Sequence, residues 1–394
     1  MKKLLLFLLI IPICMSCSEQ LDINSYKDQH AELCQQYESF NAHAPRFFLF
    51  GMGNRDKFIY KEHQLISIDN DSVVLQAEDV INDSIMPADY CVLLETPRDT
   101  IRIYEDEEGI WLIKDNTKQS LSSKQCTLKL PDFHQFRYGQ VLRVLHHELL
   151  FNIMDSRVYP NILVYKAPFY RDAFMAALCL EKTGNTQLLN DWLCSEDSIY
   201  DMQNGEAELD NLGEMLYMLS FVRKDSNQTL RRQLIKEIEQ QTIQKDGLQY
   251  LKGHTDGADN AEYQTQILIM ALQKNDMEDH FTSAPDDEAG DYLDLCWFTQ
   301  GSNHHRSIAR WYKDFRFHYQ DSPFPYLQWA RAHFYNNNKA PFNNQHYPLS
   351  WEKRGGSAHF EDMRIISEKA VEERICYPHA WTAAEMFLKL YEER

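Results

Sequence analysis

Residues 168–178 read Pro-Phe-Tyr-Arg-Asp-Ala-Phe-Met-Ala-Ala-Leu, and their apolar side chains recur at spacings of three and four residues. This spacing collects apolar side chains on one face of an α-helix. The same period continues from about residue 133 to the end of the chain and predicts helices at 139–154, 171–183, 186–194, 208–222, 228–243, 260–273, 288–299, 303–313, 324–337, 361–373 and 379–392. The chain has neither a heptad run nor a repeat of fixed length, which disfavours coiled coils and helical solenoids. We therefore expect residues 133–394 to form a globular all-α domain of paired helices.

A strand-like pattern precedes the helices. Short β-branched or aromatic runs alternate with turn-rich segments at 57–60, 72–75, 90–94, 100–104 and 109–113. Such runs predict a small antiparallel β domain of five to seven strands over residues 41–132. The expected fold class is thus mainly α, with a helical domain preceded by a small antiparallel β domain.

The first residues of the chain have the character of an export signal. A basic start is followed by an apolar run at 4–13 and by Cys14-Met15-Ser16-Cys17. The run is too short to span a bilayer, and a cysteine after a small residue resembles a bacterial lipoprotein signal. The resemblance implies a signal peptide at 1–16, an acylated (palmitate-bearing) Cys17, and a tether with a short helix at 17–40. It places the protein in the cell envelope, lipid-anchored to the outer membrane on its periplasmic or surface face. Cys14 stands where an aliphatic residue is usual, so a plain signal peptide is the alternative.

Composition limits the partners. The chain has 394 residues, 44% of them hydrophobic, and a formal net charge of -19. This length is enough for two domains. The negative charge argues against nucleic acid, whose binding needs a basic footprint, and against a polyanionic glycan held by a broad basic surface, but it leaves a local basic pocket open. No second apolar run is long enough to span a membrane, so association with a membrane is expected from the lipid anchor alone.

Four segments carry a resemblance to a known superfamily. They are residues 168–178, 208–214, 253–265 and 377–387, the last containing Tyr-Pro-His-Ala-Trp. The helical half, about 135–394, resembles the (α/α)6-toroid, six-hairpin glycosidases, in Bacteroidetes-type lipoproteins that carry a β domain in front. The resemblance implies a toroid whose inner helices present polar loop residues at one funnel-shaped end. It also implies glycoside hydrolysis by two carboxyl groups.

Polar loops that lead into apolar helices supply the candidate catalytic residues. We expect Glu262 or Asp256 to be the general acid and Glu352 the base, roughly 6.5–9.5 Å apart as in inverting enzymes. The residues expected to bind substrate are Arg171, Asp172, Asp210, His254, Tyr263, Trp351, His359, His379 and Trp381.

Each candidate segment also has a purely structural interpretation. Arg171 and Asp172 form a plausible first-turn ion pair, and Glu206, Glu208 and Asp210 suit an acidic helix N-terminus. The loop at 254–264 has the residues to cap its own helix, and the loop at 346–361 can be held by ion pairs.

Cofactors and metals are not expected. Adjacent histidines, at 146–147 and 304–305, point about 100° apart on a helix, which does not suit a zinc motif. The chain lacks the Gly-rich phosphate loops and the Gly-X-Ser-X-Gly elbow. Seven cysteines follow Cys17 without metal-type spacing, and no disulfide pairing can be assigned. The alternatives to a hydrolase are a uronate lyase, disfavoured by the acidic surface, and a non-catalytic lipoprotein that binds glycan or serves as a scaffold.

Overall fold

The computed structural model describes residues 47–163, 165, 167–203, 205–255, 258–285, 288, 351–352 and 377–392. The signal peptide, Cys17, the tether, Asp256 and His359 lie outside the described residues. So do the helices predicted at 303–313, 324–337 and 361–373, and all but one residue of the helix predicted at 288–299.

The chain from residue 47 to residue 120 forms two antiparallel meanders. The first has the strands β1 (Phe47–Phe50), β2 (Phe58–Lys61), β3 (Gln64–Ser67) and β4 (Val73–Gln76). The second has β5 (Asn82–Met86), β6 (Cys91–Glu95), β7 (Thr100–Glu105), β8 (Ile110–Lys114) and β9 (Thr117–Ser120). The five runs cited from the sequence are strands within one residue of the predicted bounds. Nine strands are observed where five to seven were expected. The four strands without a cited run, β1, β3, β5 and β9, have only four or five residues each, which gives a weak sequence signal.

The two sheets share a core that follows from the alternation of their strands. Phe48 and Phe50 of β1 pack with residues such as Ile101 and Ile103 of β7. The β7 side chains between these inward residues point outward. The opposite face of β1 presents Phe47 and Leu49, which are buried with Phe151 against the helical part of the chain. The first sheet is therefore covered on both faces.

A network of buried hydrogen bonds connects the two sheets to the helices. The Glu105 carboxylate accepts hydrogen bonds from the Gly51 and Met52 N–H groups at 2.9 and 2.7 Å and from Arg55 at 2.9 Å. Lys57 donates to the Gly53 carbonyl at 2.7 Å, and the Gly53 N–H donates to the Leu150 carbonyl at 2.8 Å. Burial lowers the pKa of Lys57 to about 7.

Seven α-helices lie in the described residues beyond the sheets: α1 (Gly139–Phe151), α2 (Tyr170–Thr183), α3 (Asn190–Ser195), α4 (Asp210–Leu219), α5 (Gln228–Gln241), α6 (Ala261–Lys274) and α7 (Ala380–Glu392). Two-stranded ladders join or flank them: β10 (Ile153–Met154) with β11 (Arg157–Val158), β12 (Thr242–Lys245) with β13 (Leu248–Leu251), β14 (His254–Thr255) with β15 (Ala258–Asp259), and β16 (Trp351–Glu352) with β17 (Tyr377–Pro378).

Helices α7, α2, α4 and α6 lie side by side in that order and run parallel. At their beginnings Arg171 of α2 contacts Asp210 of α4, and towards their ends the Tyr217 hydroxyl donates to Glu181 at 2.6 Å. Tyr263 near the start of α6 donates to Glu214 of α4, and Asn275 just past its end reaches the Leu216 carbonyl. The same sense holds for α7, because His379 before its start lies 3.8 Å from Asp172 in the first turn of α2, and Tyr391 near its end lies under Lys182 near the end of α2. Four helix N-termini consequently meet at one end.

The resemblance to six-hairpin glycosidases is wrong for this structure. About 36% of it is helix and 23% is strand, with several antiparallel sheets in the N-terminal region, which does not make a clear all-helical toroid. The sequence pattern led to a wrong superfamily because it contains only the 3.6-residue period of the helices. Parallel amphipathic helices with polar N-termini have this period in many helical arrangements. In the part of the chain that the structure describes, no helix has the length and apolar character to cross a membrane.

Candidate functional site

Polar side chains gather where the four parallel helices begin. Arg171 and Asp172 lie in the first turn of α2, Asp210 opens α4, Tyr263 is in the first turn of α6, and His379 directly precedes α7. These are five of the residues predicted to bind substrate, and the structure brings them together. We name this set the helix-end cluster, and it also includes two buried acids: Arg171, Asp172, Glu208, Asp210, Glu214, Tyr263 and His379.

Arg171 is the centre of the cluster. Its Nε donates to Asp210 Oδ2 at 2.8 Å and its Nη2 donates to Glu208 Oε2 at 3.0 Å. The Arg171 side chain is 13% exposed, whereas those of Glu208 and Asp210 are 4% and 0% exposed. The guanidinium therefore bridges two buried carboxylates, while a small part of the Arg171 side chain is exposed.

A second layer lies beneath Arg171. The Glu214 carboxyl accepts hydrogen bonds from the Tyr263 hydroxyl at 3.1 Å and from Asn211 Nδ2 at 3.2 Å. Asn211 Oδ1 in turn accepts from the Asp201 N–H at 3.1 Å. Glu214 is fully buried, so its position depends on these polar contacts.

Burial raises the pKa of three acids in and next to the cluster. Burial, then the neighbouring Asp210, raise the pKa of Glu214 well above its ordinary value, although Arg171 opposes the shift. Burial also raises the pKa of Asp210 and of Asp201. The partial positive charge of the helix N-termini stabilises the carboxylates that remain ionised. Glu214 thus offers a neutral carboxyl group beside carboxylates that Arg171 binds. In such an arrangement one carboxyl group can act as an acid and another as a base.

Asp172 and His379 form a second pair at the edge of the cluster. Asp172 Oδ1 lies 3.8 Å from His379 Nδ1, and both side chains are 10% exposed. Burial lowers the pKa of His379 to about 3, so at neutral pH this is a neutral imidazole beside a carboxyl group rather than an ion pair. The Tyr165 ring packs edge-on against His379 at 5.9 Å between centroids.

Two short ladders border the same end of the helices. The β14–β15 ladder leads into α6, and its His254 carbonyl accepts from the Leu209 N–H next to α4. The β16–β17 ladder pairs the backbone of Glu352 with Tyr377, two residues before His379. The backbone segments that carry His254, Trp351 and Glu352 therefore lie beside the helix-end cluster.

Other predicted residues are placed differently. The Glu262 carboxylate accepts from the Ala284 N–H at 2.7 Å and from Gln266 at 2.8 Å, so it ties a following segment to α6 and takes no part in the cluster. The His254 side chain is 58% exposed and lies 3.6 Å from Asp259. Trp381 is partly buried against the main core.

The sequence did not single out Glu214, Asn211 or Asp201 as site residues. Glu214 follows Asp210 by four residues and so lies on the same helix face, which is the signal that could have identified it. Nothing local indicated Asp201, because the loop before α4 brings it to Asn211. Among the described residues, no group of three histidine, cysteine, aspartate or glutamate side chains could hold a metal ion.

No protein family, no curated protein and no solved structure matches this chain. Function must therefore be argued from the site itself.

Proposed function

We propose that this chain is a lipid-anchored protein of the cell envelope that hydrolyses a glycan, with the helix-end cluster as the floor of its sugar site. The observation that carries the proposal is the convergence of Arg171, Asp210, Tyr263 and His379 at the meeting point of four helix N-termini. Their groups come from separate parts of the chain, and gathering buried charges at one place is costly unless the place has a use.

The residues of the cluster have the chemistry that a sugar site needs. The Arg171 side chain is 13% exposed and carries a guanidinium that can contact ring hydroxyls, and Asp172 and His379, each 10% exposed, add a carboxyl group and an imidazole. The buried Tyr165 ring packs edge-on against the His379 imidazole. Arg171, held by Glu208 and Asp210, has a fixed orientation, which is how binding groups gain geometric precision.

The catalytic acids are proposed to come from the two bordering ladders. Asp256, between β14 and β15, would protonate the leaving oxygen, and Glu352 of β16 would activate water from the opposite side of the ring. Glu262 is the other predicted acid, and its two hydrogen bonds in the described structure make it the weaker candidate.

The test is hydrolysis of a panel of oligosaccharides and aryl glycosides by the soluble chain from residue 18. Asp256→Asn, Glu352→Gln and Glu262→Gln are compared with Glu206→Gln, an exposed acid of the same polar stretch as Asp210. We expect the first two variants to lose at least 100-fold in turnover, on the order of the effect of one acid–base group. Turnover unchanged in both would remove these residues from the mechanism.

A second candidate function is glycan binding without catalysis. It is favoured because the carboxyl groups of Glu208, Asp210 and Glu214 are buried and already hydrogen-bonded within the protein. Retention on one glycan in affinity electrophoresis, weakened by Arg171→Lys and without release of reducing ends, would establish this function and exclude the hydrolase.

A further inference from the structure

The outer face of the second sheet carries aromatic and cationic side chains that no part of the helix-end cluster uses. Residues of β7 and β8 alternate, so the inward Ile101, Ile103, Ile110 and Leu112 are buried in the core between the sheets. The side chains between them point outward. We name four of these, with one from β9, the outer ladder: Arg102, Tyr104, Trp111, Ile113 and Lys118.

The outer ladder is held in register by the strands. Tyr104 is the cross-strand partner of Trp111, and Arg102 and Lys118 are both partners of Ile113. The Trp111 ring is fixed because its Nε1–H donates to Asp106 Oδ1 at 2.9 Å. Gly109 lies against the same ring, and a Cβ there would stand 3.3 Å from it. The aromatic pair is thus oriented before any ligand arrives.

Two cations lie over these rings. The Arg102 guanidinium is 4.6 Å from the centre of the Tyr104 ring, and Lys118 Nζ is 5.5 Å from it and 3.7 Å from the Trp111 ring. Neither cation is within 4.0 Å of a carboxylate oxygen of the described residues. Asp106 is occupied by Trp111 and by the Glu108 and Gly109 N–H groups.

The outer ladder carries two positive groups, held by aromatic rings, on a chain whose formal net charge is -19. Asp106 and Glu108 lie near Lys118 and balance part of this charge. An anion with a flat apolar ring face complements such a surface, because the cations attract its charge and the rings pack on its C–H groups. A sugar that carries a carboxylate or sulfate has both features, whereas a simple anion lacks the ring face.

We propose that the outer ladder is a second, non-catalytic site that binds acidic sugars of a glycan through Arg102, Lys118, Tyr104 and Trp111. The proposal takes its class of ligand from the proposed function but does not depend on hydrolysis. It gives the β part of the chain a role in holding an acidic polysaccharide.

The experiment measures affinity for polygalacturonate and for chondroitin sulfate, with methyl-esterified polygalacturonate as the uncharged match. The protein is the soluble chain from residue 18 bearing Glu352→Gln, so that turnover does not remove the probe. We expect binding to either acidic probe to exceed binding to the ester at least tenfold and to weaken as NaCl is raised from 50 to 500 mM, as about a threefold shorter screening length requires.

Variants locate the site. The pair Arg102→Gln and Lys118→Gln should weaken binding at least tenfold, and Trp111→Ala should do the same. The control pair Arg98→Gln and Lys114→Gln makes the same charge change outside the outer ladder, because Arg98 lies in the turn between β6 and β7 and Lys114 is on the opposite face of β8. It should change affinity less than twofold. If Trp111→Ala unfolds the sheet, the charge variants still decide.

Three results would overturn the proposal: no binding to either acidic probe, equal binding to the ester, or equal effects of the two charge pairs. Binding that persists in a chain without hydrolytic activity would support the outer ladder while refuting the proposed hydrolase. Hydrolysis of a neutral glycan with no acidic-glycan binding would do the reverse.

Discussion

Arg171 shows how much depends on a single residue of the helix-end cluster. It is the partner of two buried carboxylates and lies close enough to Glu214 to oppose the rise in its pKa. A buried ion pair adds little net stability when intact, because both charges lose their hydration. Removing one partner is costly, because the other charge stays buried without compensation.

Arg171→Ala is expected to lower the free energy of unfolding by about 3–5 kcal/mol, since Glu208 and Asp210 lose their cation. The measurement is urea unfolding at pH 7. The matched control is Arg223→Ala, which breaks an exposed pair with Asp225 (83% and 63% exposed side chains) and should cost less than about 1 kcal/mol. A loss below that of the control would show that the acids of the cluster are protonated or hydrated in the folded chain.

At the scale of elements, the contact between α4 and α6 sets the geometry of the site. Gly213 allows the two helices to approach, because a Cβ at this position would lie 2.8 Å from the Leu268 N and 2.9 Å from Ile267 Cγ2. One residue later on α4, Glu214 meets Tyr263 of α6. The contact at which the α4 and α6 backbones approach closely therefore also contains the buried hydrogen bond between Tyr263 and Glu214.

Gly213→Ala should destabilise the chain by about 1–3 kcal/mol or more through overpacking, although alanine favours a helix by about 1 kcal/mol over glycine. Thermal unfolding followed by circular dichroism checks this. Glu239→Ala, at an exposed position of α5, should stay within about 0.5 kcal/mol of the parent chain. An increase in stability for Gly213→Ala would mean that the helices do not meet closely at this residue.

The sequence predicted the bounds of single helices better than the contacts between them. Helix α2 was expected at 171–183 and is observed at Tyr170–Thr183, because its apolar face and its C-terminal Gly184 are local signals. Helix α4 was expected at 208–222 and is shorter, Asp210–Leu219. Glu208 and Leu209 are kept out of the helix, where Glu208 accepts from Arg171 and Leu209 packs near the β14 backbone.

At the scale of the whole molecule, buried histidines make stability depend on pH. Burial lowers the pKa of His146 and of His147 to about 3, and that of His379 likewise. The unfolded chain has histidine pKa values near 6.5 and so binds more protons between about pH 3 and 6.5. Stability contributed by these groups is complete above pH 6.5 and falls as the pH drops below it. The raised pKa of Glu214 acts in the opposite direction.

His147→Gln should reduce the acid slope of unfolding free energy by up to about 1.4 kcal/mol per pH unit below pH 6. The comparison of slopes between pH 4.5 and 7.5, in urea titrations, isolates this residue even if the variant is less stable throughout. His134→Gln controls for the loss of a surface histidine, because the His134 side chain is 79% exposed, and His147→Gln should change the slope by more than this control does. An unchanged slope for His147→Gln would mean that His147 is protonated within the fold.

The sequence by itself determined the local features of this protein. Alternation over four to six residues gave the strands, the 3.6-residue period gave the helices, and helix N-termini accounted for acids such as Asp172 and Asp210. The tertiary structure alone decided which of these ends meet. Arg171 contacts Asp210, 39 residues later in the chain, and His379 contacts Asp172, more than 200 residues earlier. Such contacts depend on which helix faces pack together, and all these faces have the same period in any helical fold. For this reason the sequence named five members of the cluster and its general chemistry. The resemblance to six-hairpin glycosidases was nevertheless wrong, because helix periodicity does not fix how the helices are arranged.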